Sequence, residues 1–373
     1  MNVKTEILKL SFENNPFKFE SGEELKHLQI AYQTYGELNN DKSNVILICH
    51  ALTGNAHAAG ILMETESDDN SSPDLLGKYS KLYHGKSGWW DELIGIEKVF
   101  DTRKYFVICS NIIGSCYGTS GPTTIHSTKP FRMSFPQVTI RDMVRVQKGL
   151  IDYLGIKKIL SVVGGSLGGM QAFEWALMYP DIVESIIPIA TSVQHSPWAI
   201  ALNKLSREAI MQDPNWMNGN YETQPVSGLS IARKLAMISY RSYDSFQQRF
   251  SRNKNHSKDK FLIETFLDHH AEKLLERFDA NAYIYLSKAM DENDIAKNRG
   301  SLSEVLSSIK QKTMVIGISS DILYPPAEQK SFQALIPNSV YREINSIHGH
   351  DAFLIEFEQL TKFIGEFLST NFG

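Results

Sequence analysis

Cysteine is scarce in this chain. Cys49, Cys109 and Cys116 are the 3 cysteines among 373 residues, an odd number with no CxxC pair. That excludes a disulfide framework and argues against a structural zinc site, so no metal is expected. Cys49 and Cys109 lie inside apolar runs, where buried thiols belong. No apolar stretch approaches the roughly 20 residues that span a bilayer. The opening residues, MNVKTEILKLSFENN, carry early acids and no apolar stretch, unlike a secretory leader. Charge of one sign is also missing. The chain has 38 basic and 42 acidic residues, a net charge of −4, and its densest basic stretch, 249–260, is broken by Asn, Ser, His and Asp. A polyanion-binding surface is not indicated, so neither nucleic acid nor a membrane is expected as a partner. Internal repeats and low-complexity tracts are absent. Together these absences fit a reducing, cytoplasmic setting.

What is present is ordinary globular composition, 42% hydrophobic and 21% charged, in a chain long enough to bury a large core without staples. Short β-branched runs recur: NVILIC (44–49), YFVIC (105–109), ILSVV (159–163), IIPIA (186–190) and TMVIGI (313–318). Most are continuously apolar, as strands covered on both faces are. Between them, 139–154 repeats apolar residues at three- and four-residue steps, with Thr139 and Asp142 arranged as an N-terminal cap and Gly155 as the stop. Residues 354–367 read as a closing amphipathic helix. Strands that alternate with helices imply an α/β fold with a mostly parallel central sheet and helices on both faces.

The alternation lapses between about 192 and 310, where SREAIMQ, LSIARKLAMISY, DKFLIETFLDHHAEKLLERF and DANAYIYLSKAM are all helical in pattern. The expected division is therefore a core formed by 1–192 and 311–373, with a helical lid inserted at 193–310. Residues 68–74 and 253–260 read as exposed loops.

The sharpest local signal is Gly164-Gly165-Ser166-Leu167-Gly168, which follows ILSVV and opens a helical pattern. A GxSxG between strand and helix is a nucleophile elbow. Small neighbours permit the strained turn that lifts the serine hydroxyl above the sheet. The same glycines also fit a plain strand-to-helix turn, so partners decide the matter. A serine hydroxyl needs a base, and the base needs an orienting acid. Asp321 follows TMVIGI and precedes a proline-rich turn. His348 and His350 follow the next strand-like run, 340–344, and His350 is favoured because it leads into Asp351-Ala352-Phe353 and the last helix. Taken singly, Asp321 reads equally well as a turn cap. In order and spacing, Ser166, Asp321 and His350 read as a triad. The oxyanion donors are then the N–H groups of Leu167 and, after NVILIC, of Leu52. His50 precedes the nucleophile and reads as a structural loop residue.

Several stretches resemble the homoserine O-acetyltransferase family over nearly the whole chain: AYQTYGELN (31–39), CHALTGNAH (49–57), GWWDELIG (88–95), FVICSNIIGSCYGTSGP (106–122), VVGGSLGGMQAFEWA (162–176), RFDANAYIYLSKAMD (277–291) and GHDAFL (349–354). The resemblance implies the α/β-hydrolase fold, with Ser166, Asp321 and His350 as triad and Leu52 and Leu167 as oxyanion donors. It also implies a lid that forms a homodimer interface. LSIARKLAMISYRSYDSF (229–246) is similar to the family's substrate-binding lid helix, so Arg233 and Tyr240, with Asp351, fall on amino-acid-binding positions. An arginine can fork onto a carboxylate and an aspartate can pair an ammonium, as homoserine requires. The implied reaction moves an acetyl group from acetyl-CoA, a co-substrate and not a bound cofactor, to L-homoserine through an acyl-serine, a step of methionine biosynthesis. The motifs leave succinyl-CoA as donor and L-serine as acceptor open. A serine esterase or thioesterase, or a non-catalytic binder on the same fold, remain as further alternatives.

Overall fold

The computed structural model describes residues 1–63, 82–255 and 259–372. The runs read as strands build one sheet, the five central ones buried on both faces and the edge run at 340–344 half exposed. Its strands, in chain order, are β1 (Glu6–Ser11), β2 (His27–Tyr35), β3 (Val45–Cys49) and β4 (Phe106–Ser110), then β5 (Ile159–Gly165), β6 (Ser185–Ile189), β7 (Lys312–Ile318) and β8 (Ser339–Ile344). In space the order is β8-β7-β6-β5-β3-β4-β2-β1. Neighbours from β8 through β4 run parallel, while β2 lies antiparallel to β4 and β1 antiparallel to β2.

Alternation along the strands sends side chains to two apolar layers. Val45, Leu47, Val162 and Val315 meet α1 (Ile140–Tyr153) and α2 (Leu167–Met178) through Met143, Ile151, Met170 and Phe173. Ile46, Ile48, Val163 and Ile316 meet Trp90 and the closing helix, Phe357–Phe372, through Leu360, Ile364 and Phe367. The cap of α1 forms as the sequence suggests: the Thr139 hydroxyl accepts from the Asp142 N–H, and the Asp142 carboxylate accepts from the Thr139 N–H. The closing helix starts three residues later than expected, because Gly349–Leu354 forms a 3₁₀ turn.

Between β6 and β7 the chain is helical: α3 (Pro197–Met211), α4 (Val226–Ser239), α5 (Tyr243–Phe250), α6 (Leu262–Arg277), α7 (Ala280–Asp291) and α8 (Leu302–Ser307). Ile210, Leu229, Leu274, Phe278 and Tyr283 of these helices join the same apolar layer as α1 and α2. Part of the stretch read as an exposed loop at 253–260 is instead a short antiparallel pair, Lys254–Asn255 with Lys260–Phe261. The other, 68–74, lies outside the described residues. Among the described residues no helix is long and apolar enough to cross a membrane.

Candidate active site

Four of the loops that leave the carboxyl ends of β3, β5, β7 and β8 carry the candidate residues, which is where open α/β sheets bind their ligands. Ser166 sits between β5 and α2 with φ 58° and ψ −122°, a strained backbone for any residue but glycine. The turn survives because its neighbours are small. A Cβ at Gly168 would collide with the Cys49 carbonyl, and one at Gly165 would press on the Phe353 ring. The Ser166 N–H donates to the Ile189 carbonyl at 2.9 Å, and the Thr191 hydroxyl donates to the Ser166 carbonyl at 2.7 Å. The strain is thus held by two hydrogen bonds from the sheet side.

Asp321 and His350, 29 residues apart in sequence, meet through a 2.8 Å bond from His350 Nδ1 to Asp321 Oδ2. Both are nearly sealed from solvent, at 3% and 4% exposure, so the bond is not diluted by water. The other carboxylate oxygen, Oδ1, accepts from the N–H groups of Leu323 and Tyr324 at 2.8 and 3.0 Å. The carboxylate is therefore fixed, and it fixes the imidazole tautomer with Nε2 left for chemistry. His348 makes no such pair; its N–H donates to Ser346 Oγ.

His350 and Ser166 both line a cavity of about 300 Å³, with Leu52, Arg233, Tyr240, Arg277 and Asp351 among the other lining residues. His57 also borders it. Its ring nitrogens lie within hydrogen-bond distance of Gln33 Oε1 and the Lys86 carbonyl, and burial lowers its pKa. His50 holds the loop after β3: its Nδ1 donates to the Ala51 carbonyl at 2.8 Å and its Nε2 accepts the Ile112 N–H at 3.2 Å. Burial pushes its pKa down to about 4, so it stays neutral.

Leu167 opens α2, so its N–H has no partner inside the helix. Its side chain is fully buried in the core; only the backbone can face the site. Leu52 lies in a four-residue turn closed by the Gly54 N–H on the Ala51 carbonyl at 2.9 Å. Among the described residues neither the Leu52 nor the Leu167 N–H is given to another group.

The helical segment brings charge to the same cavity. Arg233 of α4 stacks its guanidinium 5.9 Å from the Tyr240 ring, and its enclosed Nε has no hydrogen-bond partner among the described residues. Burial, then the nearby Arg277, lower its pKa. Asp351 pairs with Arg241 Nη2 at 3.1 Å; burial raises its pKa, against Arg241 and Arg233. Tyr240 packs 5.5 Å from the His350 ring, and its carbonyl accepts the Asp351 N–H at 3.2 Å. Gly349, at φ 67°, lets the histidine loop touch the end of α4, where a Cβ would meet the Tyr240 carbonyl. Six of the eight candidate residues, Leu52, Ser166, Arg233, Tyr240, His350 and Asp351, thus line one cavity; Asp321 joins it through His350, and Leu167 follows Ser166 in the chain. Sequence reasoning passed over Arg241 and Arg277. The only signal for either was its place inside a motif quoted for another reason.

Known proteins share this arrangement of elements. A family described as alpha/beta hydrolase fold matches residues 44–357. A homoserine O-acetyltransferase of Nostoc punctiforme is 49% identical over 358 residues, covering 94% of this chain and 92% of that protein. The crystal structure of homoserine O-acetyltransferase from Bacillus anthracis is 31% identical with a TM-score of 0.86, covering 100% of this chain and 99% of the other. The crystal structure of esterase E22 is 30% identical with a TM-score of 0.84, covering 98% and 100%.

Proposed function

The chain belongs to the homoserine O-acetyltransferase family, on the α/β-hydrolase fold, and on that premise we propose that it transfers an acetyl group from acetyl-CoA to the side-chain hydroxyl of L-homoserine. The observation that carries the reading is the one cavity whose lining includes both Ser166 with His350 and the charged pair Arg233 and Asp351. A generic hydrolase needs only the first pair. Opposite charges set close together suit an amino acid, whose carboxylate would lie on Arg233 and whose ammonium would lie on Asp351.

The reaction runs in two halves. His350 Nε2 takes the Ser166 proton as Oγ attacks the thioester carbonyl of acetyl-CoA. The Leu52 and Leu167 N–H groups receive the developing oxyanion, and being already oriented they need no reorganisation. The thiol of CoA leaves with the proton from His350, and Ser166 is left acetylated. Homoserine then enters, its hydroxyl gives a proton to His350, and its oxygen attacks the acetyl carbon. O-acetylhomoserine departs as Ser166 regains its proton. Asp321 holds the imidazole and steadies its cation throughout. Transfer exceeds hydrolysis because homoserine is oriented beside the acyl group while residues 193–310 act as a lid against water.

Exposed apolar side chains support a homodimer through that lid. Trp198 and Leu205 are seven residues apart on α3, Ile231 and Ile238 seven apart on α4, and each is about half exposed. Sedimentation of a monomer at micromolar concentration would remove this part of the reading. The catalytic reading places the protein in the cytoplasm, where both substrates are made available to metabolism.

A second reading, ester hydrolysis, is favoured by the similarity to esterase E22. The two separate on thiol release from acetyl-CoA, measured with and without L-homoserine, succinyl-CoA and L-serine serving as controls. Release that requires homoserine fits transfer; release indifferent to any acceptor contradicts it.

A further inference from the structure

The motif RFDANAYIYLSKAMD opens on Arg277, for which the mechanism above has no use. Arg277 ends α6, and its side chain leaves the helical segment to reach the core. Nη1 donates to the Thr53 carbonyl at 2.6 Å and to the Tyr117 hydroxyl at 2.9 Å, and Nη2 donates to Thr53 Oγ1 at 3.2 Å. All three acceptors are neutral oxygens, and among the described residues Arg277 forms no ion pair with a carboxylate. A buried cation spent on neutral oxygens is costly unless those oxygens need to be held.

Thr53 is the third residue of the turn 51–54, and Leu52, the proposed oxyanion donor, is the second. The turn is gripped from the core by His50 at the Ala51 carbonyl. Arg277 grips it from the helical side at Thr53. His50 holds the carbonyl of the very peptide that carries the Leu52 N–H, Arg277 holds the carbonyl two peptides further on, and together they fix its tilt. Hydrogen bonds to an oxyanion act only within a narrow angle, so a tilt of this turn would be felt in the transition state and little in the ground state.

We propose that Arg277 is a positioning residue for acyl transfer: it clamps the turn that presents the Leu52 N–H and so joins the seating of α6 to the assembly of the oxyanion hole. This rests on the acyl-transfer reading for its substrates, but not for its chemistry, because any reagent that builds a negative oxygen in that hole probes the same turn.

The test compares Arg277→Met, which keeps the bulk, with Arg277→Lys, which keeps the charge but loses the fork. Thermal melts check folding. Two rates are then read: homoserine-dependent thiol release, and covalent labelling of Ser166 by a fluorophosphonate, whose phosphoryl oxygen occupies the oxyanion hole. Arg277→Met is expected to lower kcat about 10²-fold with KM for homoserine nearly unchanged, and to slow labelling in parallel. Arg277→Lys should recover about a tenth of the wild-type rate in both assays. Wild-type kcat in Arg277→Met overturns the proposal. So does a raised KM for homoserine at constant kcat, which would make Arg277 a substrate contact. So does an unchanged labelling rate. If Arg277→Met does not fold, Arg277→Lys decides alone, and wild-type rates in it overturn the proposal. If wild-type thiol release ignores homoserine, the transfer reading fails, and the labelling rates still decide the role of Arg277.

Discussion

In the sheet, Ile46, Ile48, Val163 and Ile316 are wholly buried, and the polar groups at the strand ends are tied down: Asp321 by two N–H groups and a histidine, Ser166 by Ile189 and Thr191. The helices from α3 to α8 differ. They leave Trp198, Leu205, Ile231, Ile238 and Tyr243 in the open, and among the described residues they enclose the unpartnered Nε atoms of Arg233 and Arg241. The strands also hold buried atoms without a partner, but these are the neutral hydroxyls of Ser110 and Ser161; on the helical side they include those of two cations, and Arg233 lines the cavity. The contrast teaches a division of labour. On the proposed reading, groups that must already be in place for the transition state sit at the ends of packed strands, while Arg233, which would take the substrate carboxylate, sits on a helix with unspent hydrogen-bonding capacity, and Asp351 stands where the two regions meet.

That division can be broken by substitution on either side. The largest effect belongs to the sheet. Ser166→Ala should lower kcat for thiol release by on the order of 10⁶-fold with the melting temperature little changed. A loss below tenfold would place the nucleophile elsewhere. Next comes the helical side, where the burden should fall on KM. Arg233→Ala should raise KM for homoserine by about 10²-fold and move kcat much less, since the carboxylate contact exists before and during reaction. A pure kcat effect would erase the distinction between the two regions.

Asp351 sharpens it by pH. The carboxylate must be ionised to pair an ammonium, and burial raises its pKa. Homoserine affinity should therefore weaken as pH falls, beginning above the ordinary carboxylate range. Asp351→Asn should show a high KM and no acidic limb. An acidic limb that persists in Asp351→Asn would assign it to another group.

The smallest effect concerns His50, the core's own histidine. Its pKa falls from the ordinary 6.5 to about 4 in the fold, because burial disfavours the charged form. The unfolded chain then binds the extra proton between those values, so the contribution is full above pH 6.5 and lost as pH drops toward 4. It amounts to about 3 kcal/mol at most. Urea unfolding of His50→Gln at pH 7 and near pH 4.5 should show a flatter pH dependence than wild type. Equal slopes would mean that the histidine is not held neutral.

How much of this was legible in the sequence depends on how local its cause is. The strands at 44–49, 159–163 and 313–318 were visible because burial on both faces writes a continuous apolar run, and the cap at Thr139 because it spans three residues. The two antiparallel strands β1 and β2 were missed. β1 is half exposed, and EILKLS alternates in a way too short to stand out. The elbow was legible because its pattern spans five consecutive residues, although the groups that crowd Gly165 and Gly168, Phe353 and Cys49, are distant in sequence. Arg241 and Arg277 were not, since their partners Asp351 and Thr53 lie 110 and 224 positions away, and nothing local marks such a convergence.

The proposed mechanism requires an acyl group to rest on Ser166 between the two halves of the reaction. Mass spectrometry of the peptide containing Ser166, after mixing with acetyl-CoA alone, reads that group. One acetyl group is expected on that peptide, removed on adding L-homoserine with formation of O-acetylhomoserine. Consumption of acetyl-CoA in the presence of homoserine with no acetyl ever found on Ser166, or an acetyl group lost to water just as fast without the acceptor, would contradict it.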